Sequence, residues 1–248
     1  MTNFTIQTVG KPMKNIEWAT KTWNPVTGCK NACTWTAPDG KVVGCYARAI
    51  SERFHMQADF SRPVFHADRL IQPYQWKKPQ RIFVCSMGDL FADCVPDEWI
   101  EQVLNTIASH MNQHHTFLLL TKNPKRLAEF NYPPNCWVGA TVDYRRRLMP
   151  TLEALCKVQA SVRFISHEPL VETMANERPD GGKSMVLYHN YNINWAIIGA
   201  LSAGAKKYQP KAEWVCDISL ACAVNIPVFM KDNLDCEALG LERRRELP

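Results

Sequence analysis

Residues 81–120 read RIFVCSMGDLFADCVPDEWIEQVLNTIASHMNQHHTFLLL. Two apolar runs bound this stretch, Arg81–Cys85 (RIFVC) and Thr116–Leu120 (TFLLL). Neither alternates with polar residues. That is the pattern of strands buried on both faces, as in a parallel sheet covered by helices. Between them, Pro96–His110 places Trp99, Ile100, Val103, Leu104, Ile107 and Ala108 on one face of a 3.6-residue period. Pro96 suits a first helical turn, and Asp97 and Glu98 suit the positive end of the helix dipole. Strand, helix and strand of these lengths form a βα unit with a right-handed crossover.

The unit recurs in both directions. Ile16–Trp23 reads as a first strand, and Cys136–Val142, Ser161–Ser166, Asn194–Gly199 and Ile226–Met230 as later ones. Tyr46–Met56 reads as a helix. Leu148, Leu152, Leu155 and Cys156 mark another, and Trp214, Val215, Ile218 and Cys222 a third. Six or seven units predict an α/β fold, a single TIM-like partial β/α barrel of parallel strands spanning residues 1–248. An open doubly wound sheet is the competing architecture. Neither a Gly-x-Gly-x-x-Gly nor a Gly-x-x-x-x-Gly-Lys-Ser/Thr motif follows a strand, which weakens a nucleotide-binding Rossmann reading. Ala175–Asn192 is polar and carries Gly181-Gly182. It is expected to be a long loop over one end, either a plain surface insertion or a source of contacts through Tyr188, His189 and Tyr191.

The chain has 248 residues, ten cysteines and a formal net charge of +5. The opening MTNFTIQTVGKPMKN has no apolar signal core, and no stretch approaches the roughly 20 apolar residues of a membrane span. A soluble cytoplasmic protein with reduced thiols is expected, with no membrane partner. Its charge permits nucleic-acid contact without demanding it.

The strongest local signal is TWNPVTGCKNACTWTAPDGKVVGCYAR, residues 22–48. Three residues separate Cys29 from Cys33, and eleven separate Cys33 from Cys45. Three thiolates on one loop can hold three irons of a [4Fe-4S] cluster and leave the fourth iron open to a substrate or cofactor. A helix starting near Tyr46 would turn backbone N–H groups toward an anionic cluster. Spacing alone leaves three readings open: a cluster, a zinc site completed by His55 or His66, and incidental buried thiols.

Seven blocks in order carry a resemblance over nearly the whole chain. They are IEWATKTWNPVTGC…GCYAR, FVCSMGDLFADCVPDEWI (83–100), TFLLLTKNPKRL (116–127), CWVGATVD (136–143), VRFISHEPL (162–170), NWAIIGALSAGAK (194–206) and IPVFMKDN (226–233). The chain resembles a phage-associated three-cysteine family that is itself similar to radical S-adenosylmethionine (SAM) enzymes, and distantly similar to spore photoproduct lyase. The resemblance implies a [4Fe-4S] cluster on Cys29, Cys33 and Cys45, with SAM on the open iron. Two departures stand out. Members usually have the last two cysteines close together, whereas here Thr34–Gly44 separates them. This insertion carries Pro38-Asp39-Gly40, a turn able to close a small hairpin and return Cys45 to the side of Cys33. In GALSAGA (199–205), Leu201 stands where many members carry a glutamate.

In a parallel barrel, active groups gather at the C-terminal ends of strands. Ser86, Asp89, Thr121, Lys122, Thr141, Asp143, His167, Glu168, Lys231 and Asp232 fall there. Cys85, Lys122 and Glu168 are the candidate catalytic groups, Cys85 as hydrogen-atom donor or else as a buried small hydrophobe. Tyr46, Ser86, Asp89, Thr121, Asp143, His167 and Lys231 are candidate cofactor-binding residues. In the structural alternatives, Asp89 caps the following turn and Glu168 pairs with Arg163 or Lys122. The other six cysteines read as packing or surface residues. Arg145–Arg147 with Lys122, Lys125 and Arg126 form a basic set, read either as phosphate contacts or as a solvated face. The leading expectation is a radical-SAM-like enzyme that generates a 5′-deoxyadenosyl radical with an external electron donor and acts on a nucleic-acid base or nucleotide. The alternatives are a non-catalytic cluster- or zinc-stabilised nucleic-acid-binding barrel, and a hydrolase or lyase using Asp89, Glu168 and His167 as acid and base groups.

Overall fold

The structure is a computed structural model that describes residues 16–201, 208–223 and 225–248. Seven strands form its centre: β1 (Lys21–Trp23), β2 (Arg81–Val84), β3 (Thr116–Thr121), β4 (Cys136–Thr141), β5 (Val162–His167), β6 (Trp195–Ile198) and β7 (Val228–Met230). They hydrogen-bond in the order of the chain. Every pair is parallel. A doubly wound sheet needs a reversal of strand order, and this sheet has none, so that alternative is excluded. Crossovers of one hand, always advancing the same way, curl the sheet. The result is a half-barrel, the expected partial TIM-like architecture.

Four helices accompany the strands: α1 (Tyr46–Arg53), α2 (Asp97–Ala108), α3 (Leu148–Cys156) and α4 (Ala212–Ala221). Successive strand residues point to opposite faces. Ile82, Val84, Leu119, Val138, Ile165 and Ile198 join Ile100, Val103, Leu152, Leu155 and Ile218 in the core between sheet and helices. Phe83, Leu118, Phe164, Trp195, Ile197 and Phe229 turn into the concave side and form a second core with Trp18. Both faces are thus dry, which is why the strand sequences lack polar alternation. Truncating a fully buried residue such as Leu118 or Ile197 to Ala should cost about 2–5 kcal/mol.

Three local expectations change. The first strand is realised only at Lys21–Trp23. Ahead of it, Ile16–Ala19 forms a turn, closed by the Ala19 N–H donating to the Ile16 carbonyl at 3.0 Å. That turn drops Trp18 onto Phe83, with ring centroids 4.7 Å apart. Within 175–192, Asn176–Glu177 pairs antiparallel with Lys183–Ser184, and Tyr188–Tyr191 forms a 3-10 turn. Tyr188 is fully buried, so it belongs to the core and not to a contact surface. The N-terminal stretch 1–15 and residues 202–206 of the 194–206 block lie outside the described residues. Among the described residues, no helix is long and apolar enough to cross a membrane.

Candidate functional site

The loops at the C-terminal ends of the strands enclose a cavity of about 470 Å³. Its first wall is the cysteine segment. After β1, the Asn24 side-chain oxygen accepts hydrogen bonds from the Met87 N–H (2.9 Å) and the Ser86 hydroxyl (3.2 Å). The Gly28 N–H donates to the Met87 carbonyl at 2.9 Å. Gly28 and Gly88 meet in a parallel bridge. Gly28 has φ +84°, and a Cβ on Gly88 would lie 2.8 Å from the Gly28 carbonyl oxygen. Only glycine allows the two backbones to cross this closely. The crossing fixes where Cys29 emerges, and the Asn31 N–H donates to its sulfur at 3.4 Å.

The insertion folds as an antiparallel hairpin, Thr34–Thr36 against Val42–Gly44. The Gly40 N–H donates to the Ala37 carbonyl at 2.8 Å, and Gly40 takes φ +80°. Pro38 and Asp39 are therefore the central turn residues, followed by a left-handed glycine. Thr34 pairs with Gly44, so Cys33 and Cys45 flank the open end of the hairpin. Cys45 is also the N-cap residue of α1, and no side chain caps that terminus. The first-turn N–H groups of α1 are thus left without a side-chain acceptor, in the positive field of the helix end. The Tyr46 hydroxyl donates to the Ser86 carbonyl at 2.7 Å and ties α1 to the loop after β2.

Cys29, Cys33 and Cys45 line the one cavity, and each is a free thiol. Burial pushes the Cys29 thiol up to about 12. Burial also raises Cys33, against the pull of Lys122. Thiols held neutral in this way ionise readily only when a cation takes the charge. Among the described residues, no group of three or more Cys, His, Asp or Glu side chains is close enough together to hold a single metal ion. A four-iron cluster spreads its thiolates over separate irons and so needs them further apart than one zinc ion does. The N–H···S bond and the uncapped α1 terminus both bring positive partial charge to the wall that carries the three thiols.

The facing wall comes from the strand ends. β2 stops at Val84, one residue short of expectation, because Cys85 takes φ +58°. A non-glycine residue in that region is strained and re-aims the chain. Cys85 lines the cavity and is 3% exposed, and burial pushes its thiol up to about 12. Asp89 accepts three hydrogen bonds, from the Thr121 hydroxyl (2.7 Å), the Phe91 N–H (3.1 Å) and the Lys122 N–H (3.0 Å). Burial raises its carboxyl above the usual range against those bonds. Asp89 therefore caps its own turn and braces β2 to β3, while still facing the cavity.

Lys122 donates to Asp143 at 2.8 Å, and the Trp35 indole donates to the same oxygen at 3.0 Å. The Lys122 ammonium lies 5.0 Å from the Trp35 ring centroid. Burial pushes Asp143 up, but Lys122, Arg147 and Trp35 outweigh it and hold the carboxyl below its ordinary value. Glu168 pairs with Lys231, not with Arg163 or Lys122. Arg163 lies toward the other end of β5, whereas Lys231 follows the adjacent strand but one.

The cavity thus gathers Tyr46, Cys85, Ser86, Asp89, Thr121, Lys122, Glu168 and Lys231 with the three cysteines. Asp143 stands behind Lys122. His167 is the exception. It neighbours Glu168 in sequence and so points to the opposite face of the sheet. It is fully buried between the Val142 carbonyl (2.9 Å from Nδ1) and the Tyr188 hydroxyl (2.8 Å from Nε2). A carbonyl only accepts, so Nδ1 carries the proton and Nε2 accepts from Tyr188. Burial drives the ring down to about 4. The acid–base trio of Asp89, Glu168 and His167 is therefore not assembled.

Glu17, Trp18 and Ser166 are among the lining residues that escaped the sequence reading. Glu17 Oε2, Trp18 Nε1 and Ser166 Oγ are buried and have no hydrogen-bond partner among the described residues. Burial raises the Glu17 carboxyl, with Lys231 opposing. The one available signal was a charged residue inside a run read as a buried strand. Leu201, where the resemblance leads one to expect a glutamate, packs with Trp35 and Val43 of the hairpin.

One family model, described as a protein of unknown function (DUF5131), matches residues 13–243. No curated protein and no solved structure matches the chain.

Proposed function

The chain belongs to the DUF5131 family, and we propose that it is an iron–sulfur enzyme of the radical-SAM type with its site in the mouth of the half-barrel. One observation carries this reading: three free cysteines from one segment line the same cavity as the polar residues of five strand ends. In this reading Cys29, Cys33 and Cys45 hold a [4Fe-4S] cluster. With an external electron donor, such a cluster supplies the electron that splits SAM into methionine and a 5′-deoxyadenosyl radical.

The chain's own residues supply the rest. The Asn31 N–H and the α1 terminus stabilise thiolate charge. The Glu168–Lys231 pair offers one group of each sign to the SAM amino and carboxylate groups. Glu17 Oε2, Trp18 Nε1 and Ser166 Oγ add an acceptor, a donor and a hydroxyl with no partner among the described residues. Phe83, Leu120 and Phe60 make the remaining wall apolar and keep water from a reactive carbon centre. Cys85 brings an S–H bond to the same space.

Anaerobic reconstitution followed by iron and sulfide analysis tests the ligand set. Four irons and four sulfides per chain in the native protein are expected, with loss in Cys29→Ala, Cys33→Ala and Cys45→Ala. Zinc without sulfide would instead mean a structural metal site.

A further inference from the structure

The cysteine cavity shares Lys122 with a second depression. This is a surface groove of about 760 Å³, walled by the Pro124–Glu129 3-10 turn and the Arg145–Arg147 turn that leads into α3. Lys122, Lys125, Arg126, Arg146 and Arg147 line it, against Asp93 and Glu129. Three of the cations are engaged within the protein. Arg126 holds the Ala92 carbonyl, Asp97 and Glu129. Lys122 and Arg147 share Asp143. Lys125 and Arg146 are exposed and have no ion-pair partner among the described residues. Arg147 Nη1 is buried without a hydrogen-bond partner among the described residues. α3 opens on the groove with Arg147 at its N-cap, no side-chain cap and no acidic residue in its first turn. All of these favour an anion.

We propose that this groove binds the phosphodiester backbone of a single nucleic-acid strand and directs a base past Lys122 into the cysteine cavity. The inference names the substrate class of the proposed function, and it rests on that reading only for the chemistry at the base. A single phosphate would need cations converging on one point. Here Lys125 and Arg126 come from one turn and Arg146 and Arg147 from another, both lining an open groove, which suits more than one phosphate. Cations of the groove also lie against aromatic rings at three places, Arg146 4.6 Å from the Tyr144 ring centroid, Lys122 5.0 Å from that of Trp35 and Arg126 5.8 Å from that of Phe130. Basic tracks with aromatic platforms are how single strands are held without sequence readout. The reacting base must enter a cavity, so it has to be free of a duplex.

The test is fluorescence anisotropy of the full chain with a short labelled single-stranded oligonucleotide, across a salt series. Native protein should bind, with a salt-dependent affinity. The Lys125→Ala/Arg146→Ala variant should bind about tenfold more weakly or worse, and its slope of log K against log salt should fall by about two units. Lys77→Ala/Lys78→Ala makes the same charge change ahead of β2, at the other end of the sheet, and should leave both values unchanged. Cys29→Ala should still bind, so loss of cluster chemistry does not register as loss of the groove. Equal losses in both double variants would mean a non-specific charge effect and overturn the proposal. So would no binding by native protein, or groove-dependent binding of inorganic phosphate or a phosphopeptide with none of the oligonucleotide.

Discussion

Cys33 and Cys45 stand on either side of the Thr34–Gly44 pair, so eleven intervening residues are folded away into a hairpin that brings its two ends together. The cysteine motif is interrupted in sequence and continuous in space. Its geometry depends on the turn, where Gly40 holds φ +80° and a Cβ added to it would meet nothing within 4 Å. Gly40→Val should therefore cost about 1–2 kcal/mol locally through backbone strain alone. Hydrogen exchange within residues 34–44 should quicken and iron bound after reconstitution should fall, while the main unfolding transition moves little. Full iron occupancy with a loosened hairpin would show that the hairpin does not position the ligands.

Gly88→Ala tests the crossing that places Cys29. Its Cβ would meet the Gly28 and Val26 carbonyl oxygens at 2.8 and 3.3 Å, both backbone atoms that cannot rotate away. A loss of about 1–3 kcal/mol is expected in chemical denaturation. Gly44→Ala has open space and ordinary φ, and should stay within about 0.5 kcal/mol of the native protein.

His167 predicts a pH dependence of stability. Its imidazole ordinarily titrates at 6.5, and burial lowers it to about 4. Between those values the unfolded chain takes up a proton that the folded chain refuses. Stability is therefore complete above the unfolded value and falls as pH drops from 6.5 toward about 4, by about 3 kcal/mol in all. In His167→Gln this one-proton slope should vanish, although the variant is less stable at neutral pH because Tyr188 loses its acceptor. An unchanged slope would mean that another group titrates there.

Lys231→Met removes the partner of Glu168 at the cavity wall. If that pair meets the charged end of SAM, calorimetric SAM affinity of the cluster-loaded protein should fall by about tenfold to a hundredfold. Unaltered affinity in a folded variant would remove the pair from the site.

Much of this was legible in the chain. Runs such as TFLLL and CWVGATV show strands buried on both faces, and the length between them dictates parallel crossovers. Pro38-Asp39-Gly40 announces the hairpin by turn chemistry alone. Other features depend on long-range packing. The adjacent residues His167 and Glu168 look equivalent at a strand end, yet the pleat sends one to the core and the other to the cavity. Ile16–Trp23 has the composition of a strand, but Trp18 gains more by filling the concave face against Phe83, Phe164 and Trp195. Glu17 is carried into the cavity by that packing. The partner of Glu168 is set by strand order, which brings Lys231 across from beyond β6.

SAM cleavage at the three-cysteine site is the step on which the proposed function stands. Anaerobically reconstituted protein, reduced with dithionite and given SAM, should release 5′-deoxyadenosine, and Cys29→Ala under the same conditions should release none. A native protein that holds iron and sulfide yet yields no 5′-deoxyadenosine, or a Cys29→Ala variant that yields as much, would overturn the assignment.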